Sequence, residues 1–310
     1  MPRIITLTPN PTFDFACDAP FVEANRKLRC VNPQSHPGGG GVNVARAARR
    51  LGADVVAVFP FGGVYGEAMT RLLAEENVPM RAVPAEGATR IAFHVHDLNT
   101  GDEYRFNLPG EEMSKKDADA LLEAVEKETR KGDFVVGSGS LPPGAAADLW
   151  ARAAASAKRV GARFTVDSIS GLAAALDEGV FLLRQNKHEY QELAGGRRAW
   201  PDGVAEFARD LIAKGAAERV VITHGSDGSM MVMRDSVVRA PAFKVKKQSA
   251  VGAGDSFVAA LLVAMGKGWD DEDALRYASA GAAATRLRKG TALFEAEDVD
   301  RLFAARESAR

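Results

Sequence analysis

PGGGGVNVARAARRLGADVVAVFPFGG, residues Pro37 to Gly63, carries two patterns in succession. After four glycines, an alanine-rich segment from about Asn43 to Leu51 reads as a helix that closes at Gly52. Val55 to Phe59 then run without a polar residue, as a strand buried on both faces does. A helix followed by a doubly buried strand is the mark of an α/β chain with a mostly parallel sheet.

Working outward, the alternation continues. Arg3 to Thr8 reads as a first buried strand, and a helix over Glu67 to Glu76 precedes a strand near Met80 to Val83. From Ser114 on, a helix at Lys115 to Arg130 leads to the strand FVVGSGS and a helix after Pro143. RFTVDS, FLLRQN and RVVITH follow as strands with helices between them. Right-handed crossovers would lay these strands side by side under helices on both faces, a three-layer α/β/α sandwich. MMVMRD and SVVRAPAF predict a hairpin near the sheet edge, with late helices after Gly254 and across Asp271 to Arg286.

Two segments, at about residues 11–37 and 88–109, break the pattern with short stretches of alternating apolar and polar residues. TPNPTFDFACD and NRKLRCVN make one group; TRIAFHVHD and DEYRFNLP, turning around Asn99 to Asp102, make the other. They are expected to join as a small β-sheet lid over the ligand cleft of a single domain spanning residues 1–310.

The totals exclude several classes of function. Lys and Arg number 40 against 41 Asp and Glu, so no bulk charge favours nucleic acid or an anionic membrane, and an anionic ligand needs a local cluster of bases. Cys17 and Cys30 are too few for a disulfide framework or a cysteine metal site, which points to a reducing cytoplasm. Thr6, Thr8 and Pro9 interrupt the N-terminal apolar run, unlike a signal peptide. No apolar run reaches the roughly 18 to 20 residues of a membrane span.

Two glycine-led stretches carry the chemistry. VGAGDSF, Val251 to Phe257, reads as a glycine turn feeding the start of a buried helix, where free N–H groups and the helix dipole favour a phosphoryl group. Asp255 stands where it either faces an incoming hydroxyl or caps the helix. The glycines from Gly38 do not fit a dinucleotide fingerprint, because Asn43 holds a position that needs glycine or alanine. They permit close approach of backbone amides to a polyhydroxylated ligand, with Asn43 able to donate and accept.

Lys27 and Arg29, two apart on one predicted strand, and Arg90 and Arg105, on the other strand group, form a candidate anion site. Asp14 either accepts sugar hydroxyls or caps a turn. Asn186 and Glu189, three apart on a new helix, either orient a hydrated Mg²⁺ or form a capping pair. His94 and His96 share a strand face, but with no companion ligand they read as surface strand residues rather than a zinc site.

Together these motifs resemble the PfkB/ribokinase family of carbohydrate kinases. GGGGVNVA, Gly38 to Ala45, is similar to its N-terminal signature and VGAGDSF to its C-terminal one, about 210 residues apart. The likeness runs from TLTPNPTFD through SGSLPPG, Ser138 to Gly144, to the last helices. KLRC, TRxxxHVH, YRF and SGSLPPG most resemble the minor, ribokinase-like type of 6-phosphofructokinase. The resemblance implies a ribokinase-like sandwich, a lid that doubles as a homodimer interface, and transfer of the ATP γ-phosphate to a sugar phosphate.

It implies Asp255 as the base, with the amides of Gly252, Ala253 and Gly254 around the transferring group. It implies Asp14, Lys27, Arg29, Gly39, Gly40, Gly41, Asn43, Arg90, Arg105 and Ser140 at the sugar phosphate. It implies Asn186, Thr223, Gly225 and Gly228 at ATP, Glu189 at Mg²⁺ through water, and a monovalent cation such as K⁺ near the last helices. Fructose 6-phosphate is the expected acceptor; 1-phosphofructokinase and tagatose-6-phosphate kinase share both signatures, and a catalytically silent sugar-phosphate sensor is the alternative of another class. The chain departs from the family pattern at Gln185, His188 and His224, and in the length of ATRLRKGT, Ala284 to Thr291.

Overall fold

Strands without polar residues must be covered on both faces, and the amphipathic helices between them supply the cover. The structure, a computed structural model, describes residues 1–246 and 248–305. Its strands are β1 (Ile4–Leu7), β2 (Thr12–Ala19), β3 (Val31–Gly38), β4 (Val55–Phe61), β5 (Met80–Pro84), β6 (Arg90–Asp97) and β7 (Glu103–Asn107). After them come β8 (Phe134–Ser138), β9 (Arg163–Asp167), β10 (Val180–Asn186), β11 (Ala217–Thr223), β12 (Ser229–Val232) and β13 (Val237–Ala240). The helices are α1 (Gly40–Arg50), α2 (Gly63–Glu75), α3 (Lys115–Glu128), α4 (Leu149–Val160) and α5 (Leu172–Glu178). They continue with α6 (Lys187–Leu193), α7 (Asp202–Ala213), α8 (Ala253–Gly266), α9 (Asp271–Thr285) and α10 (Ala296–Ala305).

The large sheet has the order β13, β12, β11, β10, β9, β8, β1, β4, β5. It is parallel from β11 to β5 and ends in the antiparallel hairpin of β12 and β13. Alternate residues of one strand enter different cores. Val55, Ala57 and Phe59 pack with α1, α2, α8 and α9, whereas Val56 and Val58 pack with α3, α4 and α7 on the opposite face. Trp150 of α4, wholly buried, keeps its indole N–H satisfied by donating to the Ser170 carbonyl.

The small sheet has the order β3, β2, β6, β7, and its central pair, β2 with β6, is parallel. Asp14, Ala16 and Asp18 alternate along β2 on the face shared with His94 and His96. That face is tied to the main body where Lys289 meets Asp18 at 3.6 Å and His36 meets the Thr291 hydroxyl at 2.8 Å. On the other face, Phe93 and Phe106 pair across β6 and β7 and remain 41% and 55% exposed.

Two expectations need correction. NRKLRCVN is not a strand: only Val31 and Asn32 enter β3, and Lys27 and Arg29 lie exposed in the connection before it. The alternation in KLRCVN has no partner to pair with, since Asn32 takes φ 52, the register shifts between Ala16 and Asp18, and pairing ends at Asp18 with Val31. Likewise α1 begins at Gly40 inside the glycine run, which puts Asn43 in its first turn rather than at its start.

Helix α8 is apolar on all sides and packs against both α1 and α9, so its position is set by contacts around its whole circumference. Gly281 of α9 makes the closest approach: a Cβ there would lie 2.9 Å from the Ala260 Cβ and 3.1 Å from the Ser256 carbonyl oxygen. Gly281→Val is therefore expected to cost about 1–3 kcal/mol through overpacking. A thermal melt with an unchanged midpoint would show that the two helices separate freely.

Candidate active site

Some helices in this chain carry a side-chain cap, whereas α2, α4, α5 and α7 have none. Ser114, Asn186 and Asp270 each accept a first-turn amide of α3, α6 and α9. By contrast α1 and α8 are led by Gly39 and Gly252, at φ 101 and 72, with no side-chain cap. These positive φ values favour glycine, and the missing caps leave first-turn N–H groups for a ligand. The two starts face one cleft: Asn43 Nδ2 of α1 donates to Asp255 Oδ2 of α8 at 3.0 Å.

Asp255 is half-buried, and its carboxyl is pushed up from 3.8 to about 7. Burial is the main cause and the nearby Asp167 adds to it, while the Asn43 amide and Arg184 pull the other way. Arg184 closes the cluster from below. It donates to Asp167 Oδ1 at 3.1 Å and to the Thr223 hydroxyl at 2.8 Å. A Cβ on Gly254 would lie 2.8 Å from its Nη1. Burial opposes the charge of Arg184, but Asp167, Glu189 and Asp255 together raise its pKa, so the guanidinium stays charged beneath the turn.

Neither Asp167 nor Arg184 stood out in the sequence. The available signal was position: each is a charged residue near the C-terminal end of a buried parallel strand, the end where open α/β sheets hold ligands.

On the α1 side, Asp14 is buried against Gly38 with Oδ1 unpartnered, and burial pushes its carboxyl up to about 6. Thr12, Arg46 and Arg90 partly offset that rise. Arg46, also buried, links the two carboxylates by donating to Asn43 Oδ1 at 3.2 Å while Glu76 holds its other nitrogens. Arg90 donates to the carbonyls of Asn10 and Leu108, which fixes it beside Asp14. Gly39, Gly40 and Gly41 form the entry to α1, and Ser140 lies exposed in the next loop, accepting from Asn10 Nδ2 at 3.3 Å.

The remaining bases are not gathered there. Lys27 and Arg29 are exposed with no ion pair among the described residues, and Arg105 is exposed and pairs with Glu103 at 3.3 Å. Arg105 lines a cavity of about 470 Å³ under the small sheet, together with His94, His96, Asp18 and Lys289. His96 Nδ1 donates to Asp18 Oδ1 at 3.2 Å, and among the described residues no cluster of three His, Cys, Asp or Glu side chains could hold a metal.

On the α8 side, Asn186 and Thr223 are register partners at the ends of β10 and β11. Asn186 and Glu189 form a reciprocal capping box, the Asn186 side chain accepting two amides and the Asn186 amide donating to Glu189 Oε2 at 2.7 Å. The capping reading thus holds. It leaves Glu189 Oε1 open, and burial with the nearby Asp167 raises the carboxyl above its usual value. Gly225 opens a single 3₁₀ turn and Gly228 closes it.

The departures from the family pattern have local reasons. Gln185, fully buried, donates to the Ser168 and Arg184 carbonyls, tying β10 to the segment after β9. His224 is buried, stacks on Trp200 at 4.5 Å and meets Asp227 at 2.7 Å. His188 is exposed, and its amide donates to Asn186 Oδ1 at 2.8 Å.

Comparison with known proteins identifies the family. The model of the pfkB family of carbohydrate kinases matches residues 11–298. The chain is 38% identical to ATP-dependent 6-phosphofructokinase isozyme 2 of Escherichia coli over 98% of its length and 99% of that protein's. It is 32% identical to 1-phosphofructokinase of Bacillus subtilis, over 91% and 92%. The crystal structure of E. coli phosphofructokinase-2 in complex with fructose-6-phosphate superposes with a TM-score of 0.92 at 37% identity, covering 98% of this chain and 99% of that one. Arabidopsis thaliana ribokinase, at 20% identity and a TM-score of 0.73 over 97% and 98%, shares the fold. With its ribokinase-like α/β sandwich and these full-length matches, the chain belongs to the pfkB family of carbohydrate kinases.

Proposed function

We propose that the protein transfers the γ-phosphoryl group of ATP to the C1 hydroxyl of fructose 6-phosphate, the glycolytic step, with Asp255 as the base. The observation that carries this reading is the Asn43–Asp255 contact between two glycine-led helix starts. One start offers amides and Asn43 to a sugar; the other offers amides and a carboxylate to a group in transfer. Asp255 accepts the hydroxyl proton as the oxygen attacks phosphorus in line. The amides of Gly252, Ala253 and Gly254 and the charge of Arg184 face the oxygens on which negative charge collects. Asp14 takes hydroxyl hydrogens of the sugar, Arg90 attracts its phosphate, and Ser140 lines the same side.

Lys27, Arg29 and Arg105 belong to the reading as mobile or peripheral bases that approach the sugar phosphate when the small sheet closes as a lid over a single kinase domain. Asn186, Thr223, Gly225 and Gly228 border the ATP side. Mg²⁺ bound with the ATP phosphates supplies charge neutralisation there, and Glu189, with one oxygen open beside Arg184 and Asp167, would hold it through water. A monovalent cation fits the turn at residues 284–291. The carbonyls of Ala284, Thr285, Arg286 and Lys289 each accept one backbone amide, leaving a second lone pair for a cation. A second copy of the chain is the proposed cover for the exposed Phe93 and Phe106, making a homodimer through the small sheet in the cytoplasm.

Similarity to the B. subtilis 1-phosphofructokinase supports a second reading with a different acceptor. A coupled assay across fructose 6-phosphate, fructose 1-phosphate and tagatose 6-phosphate decides between them. The highest kcat/KM is expected for fructose 6-phosphate, and no ADP formation with any of the three would leave only a silent sensor.

Asp255→Asn is expected to lower kcat by about 10²–10⁴-fold, the worth of a general base. Near-wild-type turnover would remove Asp255 from that role. The same substitution should raise the thermal midpoint above pH 7. A carboxyl with a native pKa of about 7 binds its proton more tightly folded than unfolded, so the stability that this proton confers is lost as pH rises through 7. In kinetics, kcat/KM should fall on the acid side through a limb near pH 7, because the protonated carboxyl cannot accept a proton. Asn43→Ala should move that limb to higher pH, since it removes a donor that favours the carboxylate; a limb that stays in place would uncouple Asn43 from Asp255. Arg90→Ala should raise KM for fructose 6-phosphate roughly tenfold or more, the worth of a charge-assisted hydrogen bond, with a smaller effect on kcat.

A further inference from the structure

The two cysteines take no part in the site, yet the small sheet brings them together. Asp18 of β2 pairs with Val31 of β3, so Cys17, within β2, and Cys30, immediately before β3, flank that pair. The register shift between Ala16 and Asp18, with Asn32 at φ 52, gives β3 an extra residue at this point and twists the strands where the cysteines sit. Cys30 lies near enough to Cys17 to act on its thiol. Cys17 is half-buried and Cys30 is exposed. Between them run residues 20–29, which contain Lys27 and Arg29, the two bases that the structure leaves free.

We propose that Cys17 and Cys30 are a thiol-oxidation site, at which a hydroperoxide drives formation of an intramolecular disulfide that tethers the Lys27 and Arg29 connection to β2. In the first step the exposed Cys30 sulfur, as thiolate, attacks the peroxide oxygen. The O–O bond breaks, Cys30 becomes a sulfenic acid, and the leaving oxygen departs as water or alcohol after taking a proton. In the second step the Cys17 sulfur attacks the Cys30 sulfur, the S–O bond breaks, and the hydroxide leaves as water with the proton given up by Cys17. Two thiols lose two electrons and two protons, one peroxide is reduced, and a dithiol reverses the change.

The division of labour follows from placement. Burial, and then the neighbouring Cys30, push the Cys17 thiol up to about 12, so Cys17 remains a thiol until a neighbouring sulfur is activated. Cys30, open to solvent, meets the peroxide first. A cytosolic disulfide here is of the transient kind, formed and removed without refolding the sheet. The bond closes a ring over residues 17–30 and holds Lys27 and Arg29 in the exposed position seen here, away from Asp14 and Arg90. Oxidation then weakens sugar-phosphate binding and spares the transfer step. This effect on binding rests on the proposed function; the disulfide itself does not.

The test uses the full-length enzyme, reduced and then treated with hydrogen peroxide, with denaturing alkylation and mass measurement alongside kinetics. The oxidised wild type is expected to lose both alkylatable thiols together, to be lighter by two hydrogen atoms, and to run as a monomer on a non-reducing denaturing gel. A Cys17–Cys30 linked peptide should appear on digestion. KM for fructose 6-phosphate should rise roughly two- to fivefold, the worth of one or two exposed ion pairs, with kcat unchanged and full recovery in dithiothreitol. Cys17→Ser and Cys30→Ser should match the reduced wild type before peroxide and keep their KM after it.

Independent loss of the two thiols, a sulfinic acid on Cys30 with Cys17 still free, or a link between chains would overturn the proposal. A disulfide that forms in full while KM stays constant would overturn its effect on the sugar site. Absence of phosphofructokinase activity in the reduced enzyme would instead count against the proposed function, leaving the thiol chemistry to be read from the masses.

Discussion

The bond from Asn43 to Asp255 joins residues 212 positions apart, and the cleft depends on it. It holds only because α1 and α8 pack side by side with their N-termini level, which in turn requires α8 to be apolar on every face. Both starts have lost the side-chain cap that the chain supplies to α3, α6 and α9. The stability given up at two uncapped ends, about 1 kcal/mol each, leaves amides in reach of a ligand. Two raised carboxyls, Asp14 and Asp255, add to that cost, so the site is a place of local destabilisation held by the packing around it.

Charge balance under the cleft is the second constraint. Asp167, Glu189 and Asp255 converge on a single buried guanidinium, and Arg184 cannot satisfy all three as close partners. It bonds to Asp167 and Thr223 and leaves Asp255 to Asn43. The carboxyl of Asp255 is accordingly raised to about 7, poised near neutrality rather than locked as a salt bridge. Gln185 makes two hydrogen bonds at the exit of β10, next to Arg184, and braces the strand end that carries this charge.

The parts of this arrangement that rest on local pattern were legible in the sequence. The α/β alternation, the edge hairpin and the two glycine-led helices follow from periodicity and from residue types that act within one turn or strand. Asp255 and Asn43 could be singled out because each sits next to glycines at a helix start. Asp167 and Arg184 could not: a charge at the end of a buried strand declares burial, but its partner lies on another strand chosen by the sheet order. The strand expected at Lys27 and Arg29 failed for a related reason. Alternation assigns a face only when a neighbouring strand is there to pair, and β2 has ended by that point.

The position of β1 has a consequence for how the protein is made. This strand lies inside the large sheet, third from its β5 edge, bonded on one side to β4 and on the other to β8, whose register partner for Ile4 is Phe134. Neither half of the chain can therefore close its own sheet during synthesis, because the N-terminal strand waits for a partner 130 residues downstream and contacts of such separation form late. The small sheet waits too, since β2 needs β6. Asp255 arrives after both, so every strand of the two sheets is made before the residue that completes the cleft.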